Sequence, residues 1–273
     1  MSSRLRSIFL ILNFKTLVVA ALAVASTYLC QQFNLVADFP LTLIATAVVF
    51  PIVFSISGAY KRRENALDEY GSIKAHGRAI FFAARDWPED SSPETLDKAR
   101  VLMGDLLKSC RTLFAEPLEA MPENEKAVYD QFSKISKFIK NDLRGAGLAS
   151  GEVSRCNQYL SKMVVAFESI KHIYQYRTPR TLRSFSDVFI TVLPPLYGPY
   201  FVHIAQDYSY GLGYIMPILF TVILVSLDNI QEHLENPFDQ VGEDDVFINA
   251  EKFMRSLESE AGLLPGEQKA VGF

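Results

Sequence analysis

The stretch FPLTLIATAVVFPIVFSISGAYKRRENALDEYGSIKAHGRAIFFAARDW, residues 39–87, joins an apolar run to a charged continuation. Residues 39–59 carry no charge, and Lys61, Arg62 and Arg63 follow almost immediately. A helix needs about 20 apolar residues to cross the hydrocarbon core of a bilayer. Residues 39–59 therefore predict a membrane-spanning helix that ends at a basic cluster.

Three further apolar runs predict three more spans, at about 16–33, 185–204 and 212–227. The run at 185–204 is weaker, because Asp187 and His203 lie near its ends. The run at 212–227 is short, and it spans a bilayer if the tyrosines beside it lie in the interface as an aromatic belt. We therefore expect an all-α membrane protein with four transmembrane helices.

Prolines inside two of these spans predict bent helices. Pro51 lies in the second span, and Pro194, Pro195 and Pro199 lie in the third. Proline lacks an amide hydrogen and clashes with the preceding turn, so a helix that contains it tends to kink.

The composition agrees with a membrane protein. Of the 273 residues, 49% are hydrophobic and 21% are charged, and the mean hydropathy is +0.12. Soluble domains carry about 25% charged residues. The net charge of −4 argues against nucleic acid as a partner, because such a partner needs a basic surface. The cysteines Cys30, Cys110 and Cys156 show no spacing that indicates a disulfide framework or a zinc site.

The placement of lysine and arginine predicts the orientation. Basic residues precede the first span, follow the second and precede the third, whereas the loops at 34–38 and 205–211 contain none. Cytoplasmic loops are enriched in these residues. We therefore expect a multi-pass protein of the plasma or inner membrane with both termini in the cytoplasm. The N-terminal run is too long for a signal peptide, and a second span follows at once, so we expect it to be retained.

The chain divides into four predicted segments. They are an N-terminal segment with two spans at 1–60, a cytosolic helical region at 61–183, two further spans at 184–228 and an acidic cytosolic tail at 229–273. Apolar residues recur at helical spacing through the second segment, and prolines and glycines divide it into helices. Ser91 or Ser92 is the expected N-cap of the helix that starts at Pro93.

Known catalytic motifs are absent from the sequence. The histidines lack metal-ligand spacing, and there is no nucleophile elbow, Walker loop or dinucleotide-binding glycine motif. We therefore expect no enzymatic activity and no required cofactor.

One acidic cluster, formed by Glu243, Asp244 and Asp245, lies in the tail. Calcium binds several oxygen ligands, so the cluster is a candidate calcium site, although its spacing does not match an EF-hand loop. The alternative is that the acidic tail is solvated or pairs with the basic helical region, as charge runs usually do.

Two stretches resemble the bestrophin family of ion channels. The first stretch aligns without gaps with that family's passage F-R-x-N-x-x-Y-x-R-W-W-E-A-R-x-x-W-G. The matching residues are Phe54, Tyr60, Arg62, Ala66 and Gly71, and Tyr70 replaces the last tryptophan. The segment ENPFDQVGEDDVFI, Glu235–Ile248, is similar to the family's N-P-F-G-x-D-D segment, with extra residues before the acids.

The order of spans and insert along the chain also resembles that family. Arg177, Thr178 and Pro179 match its proline-containing cytosolic turn. Arg63 and Glu64 replace its paired tryptophans, so the chain resembles a divergent, bacterial-type member.

The resemblance implies a homopentamer around one axial pore with a hydrophobic neck. The family's neck residues lie on the second span at i, i+4 and i+8, which carries over to Thr46, Phe50 and Phe54. Residues four apart share one helix face, and apolar rings can gate a pore by dewetting. Considered without the resemblance, the two phenylalanines face lipid or the interior of the helix bundle.

The resemblance also implies a second constriction at the cytosolic end, at Thr178, with Arg177 and Arg180 on either side. In a fivefold ring these arginines favour anions. The alternative is that they anchor the third span at the membrane interface.

The function that the resemblance implies is passive conduction of chloride or similar monovalent anions. Three alternatives remain at this point. They are a cation-conducting channel of the same fold, a membrane-anchored scaffold or sensor whose helical bundle binds a partner, and a lipid-modifying membrane enzyme.

Overall fold

A computed structural model of the chain describes residues 12–89, 91–176, 180–205, 212–238 and 245–261. Within these ranges the chain forms nine α-helices and no strand. In chain order, α1 to α9 span Phe14–Gln32, Leu41–Asp86, Pro93–Ala115, Met121–Lys137, Ser150–Gln175, Arg180–Leu196, Gly198–Ala205, Ile215–Glu235 and Ala250–Glu260. The prediction of an all-α protein is confirmed.

The described residues belong to two compact units. The membrane unit comprises 12–63, 180–205 and 212–237, and the bundle unit comprises 64–89, 91–176, Phe238 and 245–261. Each unit has its own buried apolar cluster. Helix α2 contributes its first part to the membrane unit and the remainder to the bundle unit.

Three helices of the described chain, α1, α2 and α8, are long and apolar enough to cross a membrane. A fourth span results if α6 and α7, which are bent by 42° at their break, count as one. The protein is therefore a membrane protein. Helix α2 has 46 residues and continues well past residue 59, where the apolar run ends.

The prolines act differently in the two spans. Helix α2 is continuous through Pro51. Helix α6 contains Pro194 and Pro195 and ends directly after them, and the chain bends before α7. The hydroxyl of Ser26 donates a hydrogen bond to the carbonyl oxygen of Pro195 at 2.7 Å, which satisfies a backbone group near the break.

Gly198 lets α7 begin close to α1. A Cβ at this position would lie 2.6 Å from the Ser26 hydroxyl oxygen and 3.1 Å from the backbone carbon of Ser26. Around this approach, the core of the membrane unit is formed by apolar side chains of α1, α2, α6, α7 and α8, among them Val19, Ile52, Ile190, Phe201 and Leu224.

The bundle unit is built from α3, α4, α5 and the second part of α2. Ser92 is the N-cap of α3, because its hydroxyl oxygen accepts the amide hydrogen of Thr95 at 3.2 Å and Pro93 occupies the first turn. This confirms the predicted cap. At the centre of the unit the ring of Phe167 contacts the rings of Phe114 and Phe132.

The acidic tail contains a helix, α9, that the sequence did not predict. Asn249 is its N-cap and accepts the amide hydrogen of Lys252 at 2.8 Å. The helix buries Ala250, Phe253 and Leu257 in the core of the bundle unit.

Helix α9 is bound to arginines of the bundle unit. Arg111 pairs with Glu251 at 2.9 Å, Arg100 pairs with Glu258 at 2.6 Å, and Arg78 lies 3.2 Å from the carboxylate of Glu260. The carboxylates of α9 therefore pair with the basic helical region. Such pairing was the alternative to calcium binding that the sequence left open for the acidic tail.

Candidate functional site

The membrane part of α2 has one buried face and one exposed face. Val48, Ile52 and Ser55 are buried, at spacings of four and three residues. On the opposite side, Thr46, Phe50 and Phe54 are exposed, at spacings of four. Because a helix repeats every 3.6 residues, each set forms a stripe along the helix. The structure therefore places the three predicted neck residues together on a face that the membrane unit does not cover.

The two phenylalanines on this face contact each other. Their ring centroids are 4.7 Å apart and the rings are nearly perpendicular, at 82°. The exposed fraction is 61% for Phe50 and 62% for Phe54. Burial of aromatic surface is favourable, so lipid or another copy is expected to cover this face unless it lines a pore, where apolar rings act by dewetting.

Thr46 is polar but satisfied within its own helix. Its hydroxyl donates to the carbonyl oxygen of Thr42 at 2.6 Å. A threonine hydroxyl that donates to the carbonyl oxygen of the preceding turn already has its hydrogen bonded within the helix. The polarity of Thr46 is therefore compatible with an apolar neck.

An ion-pair cluster that sequence analysis missed joins three helices of the membrane unit. The ammonium group of Lys15 contacts Asp228 at 2.6 Å and Asp187 at 3.0 Å. Asp228 is only 5% exposed, so its carboxylate depends on Lys15 for compensation of its charge. The available signal was the presence of three charges at the ends of apolar runs, but their pairing is not evident from residues so far apart in sequence.

A second charged group lies between α6 and α8. Arg183 contacts Glu235 at 2.6 Å and Glu232 at 2.8 Å. Arg62, on α2, also interacts electrostatically with Glu235. Arg183, one of the basic residues that precede the third apolar run, therefore links helices α6 and α8.

The bundle unit carries an open groove of about 740 Å³ between α2 and α5. Its lining includes Asp68, Glu69, Glu168 and His172 together with apolar side chains. Burial acts to raise the pKa of Glu168, but the hydrogen bonds from Lys171 and Tyr129 outweigh it, so this pKa lies below its usual value. The described residues contain no group of three or more His, Cys, Asp or Glu side chains arranged to hold a metal ion.

The fold is similar to that of solved bacterial membrane proteins. A crystal structure of a bestrophin homologue from Klebsiella pneumoniae matches with a TM-score of 0.74 at 16% identity, over 92% of this chain and 99% of that chain. A substituted form of the Klebsiella pneumoniae homologue matches at 0.72 and 18% identity, over 94% and 99%. The chain has the bestrophin fold.

The bestrophin fold thus confirms the resemblance that the two sequence stretches indicated. A third crystal structure, described only as a membrane protein, matches with a TM-score of 0.73 at 17% identity, over 91% of this chain and 98% of that chain. No protein-family profile and no curated protein sequence matches the chain.

Two sets of predicted site residues in this bestrophin fold lie wholly or partly outside the described residues. Arg177 and Thr178 of the predicted constriction are not described, and Arg180 is the first residue of α6. Glu243 and Asp244 of the candidate calcium site are not described either, whereas Asp245 is. Both sites stay predictions.

Proposed function

We propose that this bestrophin-fold protein is an ion channel that passively conducts chloride or similar monovalent anions. Identical copies, five by the family resemblance, surround one axial pore. Two findings support the proposal, the bestrophin fold and the uncovered face of α2 in the membrane unit.

The exposed Phe50–Phe54 face is the observation that carries this proposal. The membrane unit buries the opposite face of α2 but leaves the two rings in contact with each other and more than half exposed. Copies of this face around an axis form stacked apolar rings, and a narrow apolar constriction controls ion passage by dewetting. Thr46, whose hydroxyl is bonded to the carbonyl oxygen of Thr42, forms one end of this neck.

The remaining predictions complete the proposal. Thr178, with Arg177 and Arg180 beside it, forms a second constriction that faces the cytoplasm, and both termini lie on that side of the plasma or inner membrane. No cofactor is required. The candidate calcium site is formed by Glu243, Asp244 and Asp245.

Currents across a lipid bilayer test the proposal. Purified protein is reconstituted in liposomes, fused with a planar bilayer and studied under a KCl gradient, as wild type and as Phe50→Ala/Phe54→Ala. Leu22→Ala/Leu29→Ala is the matched control, because both leucines are about half exposed on α1.

We expect the wild-type reversal potential to lie near the chloride equilibrium potential. The phenylalanine double variant changes conductance or open probability at least about twofold, since it widens and wets the neck, and the leucine control does not. A reversal potential near the potassium equilibrium potential would show that the channel conducts cations instead of anions. Absence of current from well-folded oligomers would contradict the channel and favour a scaffold whose bundle groove binds a partner.

A further inference from the structure

The exposed face of α2 continues beyond the two phenylalanines. Lys61 follows Phe54 by seven residues and Phe50 by eleven, so in projection along the helix it lies between them. Its side chain is exposed, as are those of Phe50 and Phe54. Seven residues correspond to about 10 Å of helix. Lys61 is the first charged residue on this helix after the neck residues.

Two of the three consecutive cations at the end of the apolar run, Lys61 and Arg62, have different surroundings. Arg62 is partly buried and interacts electrostatically with Glu235, which also accepts a hydrogen bond from Arg183 at 2.6 Å. Lys61, in contrast, makes no hydrogen bond and no ion pair with any residue in the part of the chain that the structure describes. Its charge is therefore not neutralised within the described protomer.

We propose that Lys61 determines ion selectivity, because its copies form a ring of positive charge at one mouth of the neck. This inference rests on the proposed pore. The phenyl rings of Phe50 and Phe54 carry no net charge and cannot by themselves prefer an anion. A charge ring raises the local concentration of anions and lowers that of cations before either ion enters the apolar segment.

The size of the effect follows from Coulomb's law with screening. At physiological ionic strength the Debye length is about 8 Å, so five unit charges about 10 Å from the ion path retain part of their influence there. In water their summed potential is on the order of RT for a monovalent ion, with opposite signs for chloride and potassium. Neutralising the ring should therefore lower the chloride-to-potassium permeability ratio roughly fivefold.

The test compares reversal potentials of the full chain in bilayers under a KCl gradient. The variants are Lys61→Gln, Lys61→Glu and the charge-preserving Lys61→Arg. Lys126→Glu is the matched control, since Lys126 is an exposed lysine on α4 that has no ion pair among the described residues. Each variant is measured at about 0.15 M and about 1 M salt, because the Debye length falls to about 3 Å at the higher concentration.

We expect Lys61→Gln to lower the permeability ratio roughly fivefold and Lys61→Glu to lower it further. Lys61→Arg and Lys126→Glu should resemble the wild type, and the difference between wild type and Lys61→Gln should shrink at high salt. If Lys61→Glu conducts with the wild-type reversal potential, or if Lys126→Glu shifts it equally, the inference is wrong and the channel stands. If the wild type carries no current, both proposals fail.

Discussion

The bundle unit and the membrane unit differ in how far they bury the phenylalanines of their helices. In the bundle unit, Phe114, Phe138 and Phe167 are at most 2% exposed and belong to one continuous core. In the membrane unit, Phe50 and Phe54 are more than 60% exposed. The bundle unit thus buries these rings in its own core. The membrane unit leaves apolar surface exposed, and that surface contacts lipid, further copies or a pore. The face that we propose to line the pore therefore belongs to the unit that leaves large apolar side chains exposed.

Charged groups differ between the units as well. The bundle unit places its ion pairs at or near the surface, as in the pair of Lys98 with Asp142, whose side chains are 53% and 32% exposed. The membrane unit contains a nearly buried carboxylate, Asp228, that one lysine neutralises. Removal of one partner should therefore cost more in the membrane unit than in the bundle unit.

The largest effect is expected in the core of the bundle unit. Phe167→Ala removes a fully buried ring that contacts three other rings, and it should lower the free energy of unfolding by about 3–5 kcal/mol. Val165→Ala is the matched control on the same helix, because Val165 is 62% exposed and should change stability by less than about 0.5 kcal/mol. Thermal and denaturant unfolding of the purified protein measure both. Similar losses for the two variants would show that the bundle core is not packed as described.

The next largest effect is expected at Lys15. Lys15→Met leaves the carboxylate of Asp228 without its main partner and should cost about 1–3 kcal/mol, reduced from the fully buried case because Lys15 is a third exposed. Lys98→Met, which breaks the surface pair in the bundle unit, should cost less than about 1 kcal/mol.

A double variant separates the ion pair from general damage. Lys15→Met/Asp228→Leu removes both charges and should recover part of the loss, because no unpaired buried carboxylate remains. Melting temperatures in detergent or nanodiscs compare the wild type, Lys15→Met, Asp228→Leu and the double variant. If the double variant loses more stability than its two single variants lose together, the pair does not have this role.

A smaller effect is expected where α9 lies against α3. A Cβ on Gly104 would lie 2.1 Å from the sulfur of Met254 and 2.7 Å from its Cγ, so Gly104→Ala should destabilise by about 1–2 kcal/mol. Gly71→Ala on α2 is the matched control. A Cβ there meets nothing within 4 Å, and the change should stabilise by about 0.5–1 kcal/mol, since alanine is the better helix former. Destabilisation by both variants in the same assay would argue against the close contact of α9.

The smallest effect concerns two thiols of the bundle unit. Burial raises the pKa of Cys110 to about 12, and burial together with Glu152 raises the pKa of Cys156 to about 11. The thiolate is the reactive form, so both should resist a thiol reagent at pH 8 and even at pH 9.5, below both values. Mass spectrometry before and after denaturation measures the labelling. Rapid labelling of either cysteine in the folded protein would mean that the core opens readily.

Features that depend on local sequence or on the solvent were predictable. Apolar runs predicted the spans because a helix that crosses a bilayer needs a long apolar stretch. The Ser92–Pro93 pair predicted the start of α3 because capping is a local interaction. The shared exposed face of Thr46, Phe50 and Phe54 was predictable because residues four apart share a side of any helix, whereas its role as a pore neck stays a prediction.

The features that the sequence did not predict depend on residues far apart in the chain. Helix α9 is held by arginines from α2 and α3, such as Arg78 and Arg111, and its acidic composition alone predicted only a charged tail. The pairing of Lys15 with Asp187 and Asp228 joins positions more than 170 residues apart. The different surroundings of Lys61 and Arg62 likewise depend on Glu235, a residue far along the chain that interacts with Arg62.

The central claim is that the Phe50–Phe54 face of α2 lines a conducting pore. The most direct test is modification of Phe54→Cys in a Cys30→Ala background by a charged methanethiosulfonate reagent during bilayer recording. Leu22→Cys in the same background is the control, since Leu22 is 50% exposed on α1. We expect the reagent to reduce or block the current of Phe54→Cys and to leave that of Leu22→Cys unchanged. Unchanged current in Phe54→Cys, with modification of its thiol verified after solubilisation, would contradict the claim and place this face against lipid.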